Sequence, residues 1–387
     1  MTSERHVVGH ISEVPEGGQL KVDLAGREIL VCQLEGAYYA IDYYCSHDYL
    51  GLEGGTLENG YYLPLPWCGI LPKNWRSFSI ACLGTDCSLP RCARKRFDHS
   101  RNPLDNMTTA LAQALHDKLV LERIDLDIFR AENEATLGPR LFGGQVLAQA
   151  LSAAQETISD RPCHSLHGYF LRPGKVDRPV VFQVERIRDG KSFSTRRIIG
   201  VQAGEAIFSM DASFQQSESG LTHQMAIDDF PEPESLEDDR LVAMRMTNLG
   251  PRGEWMTRDR PFELRSVIAI DQPVKARTSQ AVWIKFLAPV QELTKHQQLL
   301  AYASDMGLVS TAALPHREAI DRTQLQMASL DHSLWFHQDF SVSDWLLYVK
   351  ETPVSFGNRG LNRGGFFDRA GNRVASVIQE GLMRLTQ

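Results

Sequence analysis

Leu299-Leu300-Ala301-Tyr302-Ala303-Ser304-Asp305 is an apolar helical run that ends in a carboxylate, and Val146-Leu147-Ala148-Gln149-Ala150-Leu151-Ser152 is its counterpart earlier in the chain. Small residues stud both: Ala148, Ala150 and Ala153 in one, Ala301, Ala303 and Gly307 in the other. A helix apolar on most sides has to be wrapped rather than laid on a surface. Each run is followed by a strand, His164 to Phe170 in the first copy and Asp331 to Phe336 in the second. Each copy then closes with a long hairpin. The first spans Ser194 to Phe214 and turns at Ala203-Gly204; the second spans Gly360 to Met383 and turns at Ala370-Gly371.

A helix and a strand meander repeated once in tandem is an α+β duplication. A sheet curled around one central helix satisfies each copy, so the expected architecture is a double hotdog, two tandem helix-wrapped antiparallel sheets. Residues 107–215 form the first repeat and 260–387 the second, with the acidic, proline-containing stretch 216–259 as linker. Before them, residues 1–60 read as a small all-β module, with strands at Gln19 to Leu24, Glu28 to Cys32 and Ala37 to Ile41 around glycine turns. Residues 61–106 hold no sustained period of 2 or 3.6 and read as irregular.

At 387 residues the chain exceeds one ordinary domain. Its net charge of −7 offers no basic excess for a phosphate backbone or an anionic bilayer, so nucleic acid is not an expected partner. No stretch of roughly 18 apolar residues occurs, and the opening MTSERHVVGHISEVPEGG has no basic lead before an apolar run. Neither membrane insertion nor export is expected, and the closing Arg384-Leu385-Thr386-Gln387 is no peroxisomal address. Seven cysteines, an odd number with six of them before Asn102, do not form a secreted framework. A cytoplasmic location is expected.

Asp305 is the only formally charged residue between Lys295 and Arg317. A buried carboxylate is costly unless it is hydrogen-bonded or its pKa shifts. A catalytic acid or base and a carboxylate capped by its neighbours are both open. In Leu325 to His337, alternation puts Ser329 and Asp331 on one face and His332 on the other with Leu330 and Leu334. His332 therefore reads as a satisfied structural histidine. Gln379 shares the face of Ala375 and Val377, where an inward amide needs partners; a solvated edge glutamine is the alternative. Gly143, Gly144 and Gln145 open the first helix, and backbone N–H groups there suit a developing oxyanion. Lys191, Arg196, Arg197, Arg359 and Arg363 lie in the two long hairpins and could meet the phosphates of a ligand; a solvated strand face is the alternative.

Six stretches carry a family resemblance: Leu141 to Gln145, His164 to Pro173 (HSLHGYFLRP), Arg188 to Arg197 (RDGKSFSTRR), Tyr302 to Asp305, Asp331 to His337 (DHSLWFH) and Ile378 to Arg384 (IQEGLMR). From Met107 to Gln387 the chain resembles the acyl-CoA thioesterase II family. The resemblance implies hydrolysis of fatty acyl-CoA without a cofactor, with acyl-CoA as the bound partner and a homo-oligomer as the assembly. It places the catalytic roles on Asp305, Ser329 and Gln379.

Residues 5 to 60 resemble the first half of a Rieske [2Fe-2S] domain, with Cys45-Ser46-His47 as the first ligand pair. Cys68 follows, but no histidine occurs between His47 and His99. A Rieske centre needs two cysteines and two histidines, so the module is incomplete. The loss of pattern after Gly60 reads as a slipped coding frame running into a unit that starts at Met107. The rival reading is a Rieske-type redox protein whose C-terminal half binds acyl-CoA.

Overall fold

The computed structural model describes residues 19–24, 27–34, 37–42, 56–58, 61–63, 103–134, 140–246, 256–272, 275–320 and 322–386. The chain divides into two units, Met1–Phe97 and Asp98–Gln387.

In the first unit, β1 (Gln19–Leu24), β2 (Arg27–Leu34) and β3 (Ala37–Asp42) form an antiparallel meander in which Val31 pairs with Leu20 and Ala40. β4 (Thr56–Glu58) and β5 (Tyr61–Leu63) form a separate pair. Cys45, His47 and Cys68, the expected cluster ligands, lie outside the described residues.

The second unit opens with α1 (Pro103–Lys118). This helix and β5 both reach into the segment 61–106 that reads as irregular. Proline suits the first turn of a helix, but a single turn is too short to show a period before Met107. The stretch 216–259 is likewise more than a connector. It contains α3 (Asp239–Arg245), started by the Asp238 side chain, which accepts from Arg240 N at 2.8 Å.

The first repeat comprises β6 (Glu122–Asp125), β7 (Ile128–Ala131), α2 (Gly143–Gln155), β8 (Cys163–Phe170), β9 (Val180–Asp189), β10 (Phe193–Gln202) and β11 (Glu205–Gln215). The second comprises β12 (Phe262–Ser266), β13 (Ser279–Phe286), α4 (Leu293–Ser304), β14 (Leu325–Ser329), β15 (Asp331–Phe336), β16 (Leu346–Phe356), β17 (Arg359–Phe367) and β18 (Arg373–Leu385). The order across the sheet is β12-β13-β16-β17-β18-β15 in the second repeat, running on as β8-β11-β10-β9-β7-β6 in the first. The seam is β15 on β8, antiparallel, with Asp331 opposite Tyr169 and Trp335 opposite Ser165. Joining the two sheets at this seam leaves neither seam strand as an open edge.

The hairpins turn where expected. Ala203 and Gly204 have φ of 52° and 80°, and Gly371 has φ of 79°. Alternation along β10 and β18 sends Ile198, Ala375 and Val377 inward, onto the helices. From Gly144 to Gln155 every residue of α2 is buried, so the wrapping that its composition demands is met. The two central helices run antiparallel: Gly144 touches the end of α4, while the Gln155 side chain bonds those of Gln297 and Gln298 near its start. The N-terminus of one helix therefore faces the C-terminus of the other.

Candidate active site

Asp305 caps the C-terminus of α4 and is 5% exposed. Two side chains of β16 tie down the end of that helix: Tyr348 Oη donates to Ser304 O at 2.6 Å, and Lys350 Nζ donates to Met306 O at 3.2 Å. They satisfy carbonyls that a helix end leaves without partners.

Three donors converge on the carboxylate. Gly144 N, in the first turn of α2, donates to Oδ2 at 3.0 Å; Gln379 Nε2 and Ser329 Oγ donate to Oδ1 at 2.6 and 3.2 Å. Burial is the largest influence on this group and raises its pKa to about 6, against the three hydrogen bonds, which lower it. The carboxyl is therefore buried, poised near neutrality and aimed between two helix ends.

The glycines at the start of α2 are required by this approach. A Cβ on Gly143 would lie 2.7 Å from Asp305 Oδ2 and 2.9 Å from the Phe170 ring, and one on Gly144 would collide with Tyr302 O. Gly144 N–H is thus committed to the carboxylate. Gly143 N–H opens the helix, where no intrahelical acceptor exists. The Gln145 side chain points elsewhere, donating to Asn133 Oδ1 and accepting from Glu134 N, and its own N–H goes to Phe142 O.

Strict alternation through Leu325 to His337 separates Ser329 from His332, and here the structure differs. β14 pairs with β18 as Ser329 opposite Gly381, whereas β15 pairs as Ser333 opposite Ile378. The register slips by one residue at Leu330, so both side chains turn to the same side. Asp331 stays on the far face, where its Oδ1 accepts from Glu380 N at 2.6 Å and does not orient the neighbouring ring. His332 is fully buried, with Nδ1 3.1 Å from Gln379 Nε2 and 3.9 Å from Asp305 Oδ1. Burial holds the ring neutral, its pKa pushed down to about 3.

Gln379 is fully buried, and its Oε1 has no hydrogen-bond partner in the protein. Directly across on β17 stands Asn362, also fully buried, with Oδ1 likewise unpartnered. Sequence reading passed over Asn362. The signal was a polar residue in phase with the inward Gly360 and Phe366.

The five basic candidates are not brought together. Arg196 is 1% exposed and held inside the first repeat by Thr157, Asp189 and backbone carbonyls, so it cannot reach a ligand's phosphates from there. Arg197 pairs with Asp211, Arg359 with Glu380 and Arg363 with Glu351, while Lys191 is exposed at the β9–β10 turn. Four strands separate β10 from β17, roughly 24 Å at the usual spacing. One phosphate site cannot include both sets. Among the described residues, no group of three or more His, Cys, Asp or Glu could hold a metal ion.

Comparison with known proteins finds three family models along the chain. A family model described as Acyl-CoA thioesterase matches residues 253–382, one described as Acyl-CoA thioesterase N-terminal domain matches 131–215, and the Rieske [2Fe-2S] domain model matches 4–67. Acyl-CoA thioesterase 2 of Haemophilus influenzae is 36% identical over 288 residues, covering 73% of this chain and all of that protein. The crystal structure of the acyl-CoA thioesterase II TesB2 from Mycobacterium marinum superposes with a TM-score of 0.60 at 37% identity, over 70% of this chain and 99% of that one. A hot dog fold protein of unknown function from Alicyclobacillus acidocaldarius gives a TM-score of 0.59 at 18% identity, covering 71% and 99%, which speaks for the fold alone. With the double hotdog, two family models in chain order and a relative matched over its whole length, the chain belongs to the acyl-CoA thioesterase family.

Proposed function

We infer that the chain hydrolyses fatty acyl-coenzyme A to free acid and thiol, and that Asp305 is the general base. The observation that carries this reading is the buried Asp305 carboxylate, held by Gly144, Ser329 and Gln379 where the N-terminus of one central helix lies beside the C-terminus of the other. Its pKa of about 6 leaves it ionised at neutral pH and still basic enough to take a proton.

Water attacks the thioester carbonyl carbon as Asp305 removes one of its protons. Gln379 Oε1, free of protein donors, accepts the other O–H. Negative charge moves onto the carbonyl oxygen, which faces Gly143 N–H and the positive end of α2. Collapse of this intermediate breaks the C–S bond, and the thiolate recovers the proton from Asp305. No covalent enzyme intermediate is needed.

Thiol release from acyl-CoAs of several chain lengths tests the reading. Asp305→Asn is expected to lose hydrolysis while keeping its fold by circular dichroism; turnover near that of the parent would refute it. Ser329→Ala and Gln379→Ala should lose roughly 10- to 1000-fold, the range for removing one polar contributor.

The Rieske match favours a second reading for the N-terminal unit, a [2Fe-2S] centre. Cys45, His47 and Cys68 supply three ligands, the matched stretch ends at residue 67, and no second histidine stands near Cys68, the next being His99. The donor set does not fit, and hydrolysis runs without it. Iron and sulfide analysis of the purified protein should fall well below stoichiometry. A homo-oligomer is supported by the apolar Tyr169 and Ile378 exposed beside the seam, and a reducing cytosol by the unpaired Cys163.

A further inference from the structure

His332 takes no part in the steps above, yet both of its ring nitrogens are engaged. Nε2 lies 2.8 Å from Ser304 Oγ and Nδ1 lies 3.1 Å from Gln379 Nε2. Ser304 Oγ gives its one proton to Ala301 O at 2.8 Å, so toward the ring it can only accept. Nε2 therefore carries the imidazole proton and Nδ1 is bare. A bare Nδ1 needs a donor, which fixes the NH2 of Gln379 against it. The second hydrogen of that NH2 then goes to Asp305 Oδ1 at 2.6 Å. The polarity of the whole chain is set at a backbone carbonyl of α4. Turned over, the amide would press Oε1 against both Nδ1 and the carboxylate, acceptor against acceptor, in a buried site.

We infer that His332, held by Ser304, is the positioning residue that fixes the orientation of the Gln379 amide, so that Asp305 faces a donor and Oε1 faces the reacting water. This rests on Asp305 being the base, but it can fail by itself. The other titratable groups around Asp305 are Tyr302 on its own helix, Glu134 against the Tyr302 hydroxyl, and Tyr348 and Lys350 on β16; burial keeps both tyrosines protonated, and Lys350 Nζ donates to Met306 O. The donors on the carboxylate itself are Gly144 N, Ser329 Oγ and the Gln379 amide, so the orientation of Gln379 bears directly on how readily Asp305 ionises.

Nitrogen-15 NMR of the full-length enzyme should show His332 as the neutral tautomer protonated at Nε2. A ring protonated at Nδ1, or an imidazolium, overturns the inference. In the pH profile of kcat/KM, His332→Leu should move the acid limb upward by about one unit, a roughly tenfold loss on that limb, with KM little changed. Ser304→Ala, which removes a hydroxyl bonded to Ala301 O and His332 Nε2 rather than to the Asp305 carboxylate, should move it the same way. His332→Asn, whose amide oxygen can accept from Gln379, should restore it. Should His332→Leu not fold, Ser304→Ala and the NMR still decide. If the folded variants lose activity by the same factor at every pH, His332 is structural only. An active Asp305→Asn would instead remove the base, whatever His332 does.

Discussion

At Asp305, burial and hydrogen bonding act in opposite directions, and burial wins. The folded-state pKa of about 6 lies above the ordinary 3.8, so this group's contribution to stability is full below about pH 4 and lost as pH rises through about 6. A shift of about two units corresponds to about 3 kcal/mol. Relative to the parent, non-titrating Asp305→Asn should therefore gain up to about 3 kcal/mol between pH of about 4 and about 7 in denaturant melts. A difference that stays flat with pH would mean that the carboxyl is not buried as described. Activity has the opposite sign, because the base must be ionised: kcat/KM should rise with pH to a plateau above about 6. The sequence shows a lone acid in an apolar helix but leaves Gln379 open between an inward amide and a solvated edge; the structure buries it against that acid. The sequence does not show that Ser329 and His332 converge, because a one-residue slip at Leu330 reverses the facing that alternation assigns.

At the scale of elements, the site depends on two helix ends meeting closely enough for a backbone amide to reach a carboxylate. Gly144 makes this contact possible, and Gly144→Ala should push α2 off Tyr302 O. Overpacking of that kind costs about 1–3 kcal/mol. A lowered midpoint in thermal melts together with lost hydrolysis is expected; an alanine variant with parental stability and rate would show that the helices need not touch there. The helices, the hairpins and their turns were legible because period and glycine placement are local signals. The pairing of the two helices was not, since it depends on contacts between residues far apart in sequence, such as Gln155 with Gln297.

On the scale of the whole molecule, the duplication was legible as a repeated order of elements, and the continuous sheet across β8 and β15 was not, because nothing local marks a seam. The five basic candidates are not gathered into one site for a related reason: they lie on hairpins of both repeats, and the duplication sets those hairpins four strands apart. Asp305, Ser329, Gln379 and His332 all lie within Asp98–Gln387. Removing residues 1–97 should leave kcat/KM for acyl-CoA within about twofold; a large loss would tie the N-terminal unit to catalysis. The most direct test of the central claim, that Asp305 draws a proton from water that itself attacks the thioester, is a single turnover in H2(18)O with enzyme in excess over acyl-CoA. Direct attack puts one 18O in the released acid and none in the peptide bearing Asp305. Unlabelled acid with the label in Asp305 would mean that the carboxylate attacked first, and would contradict the account.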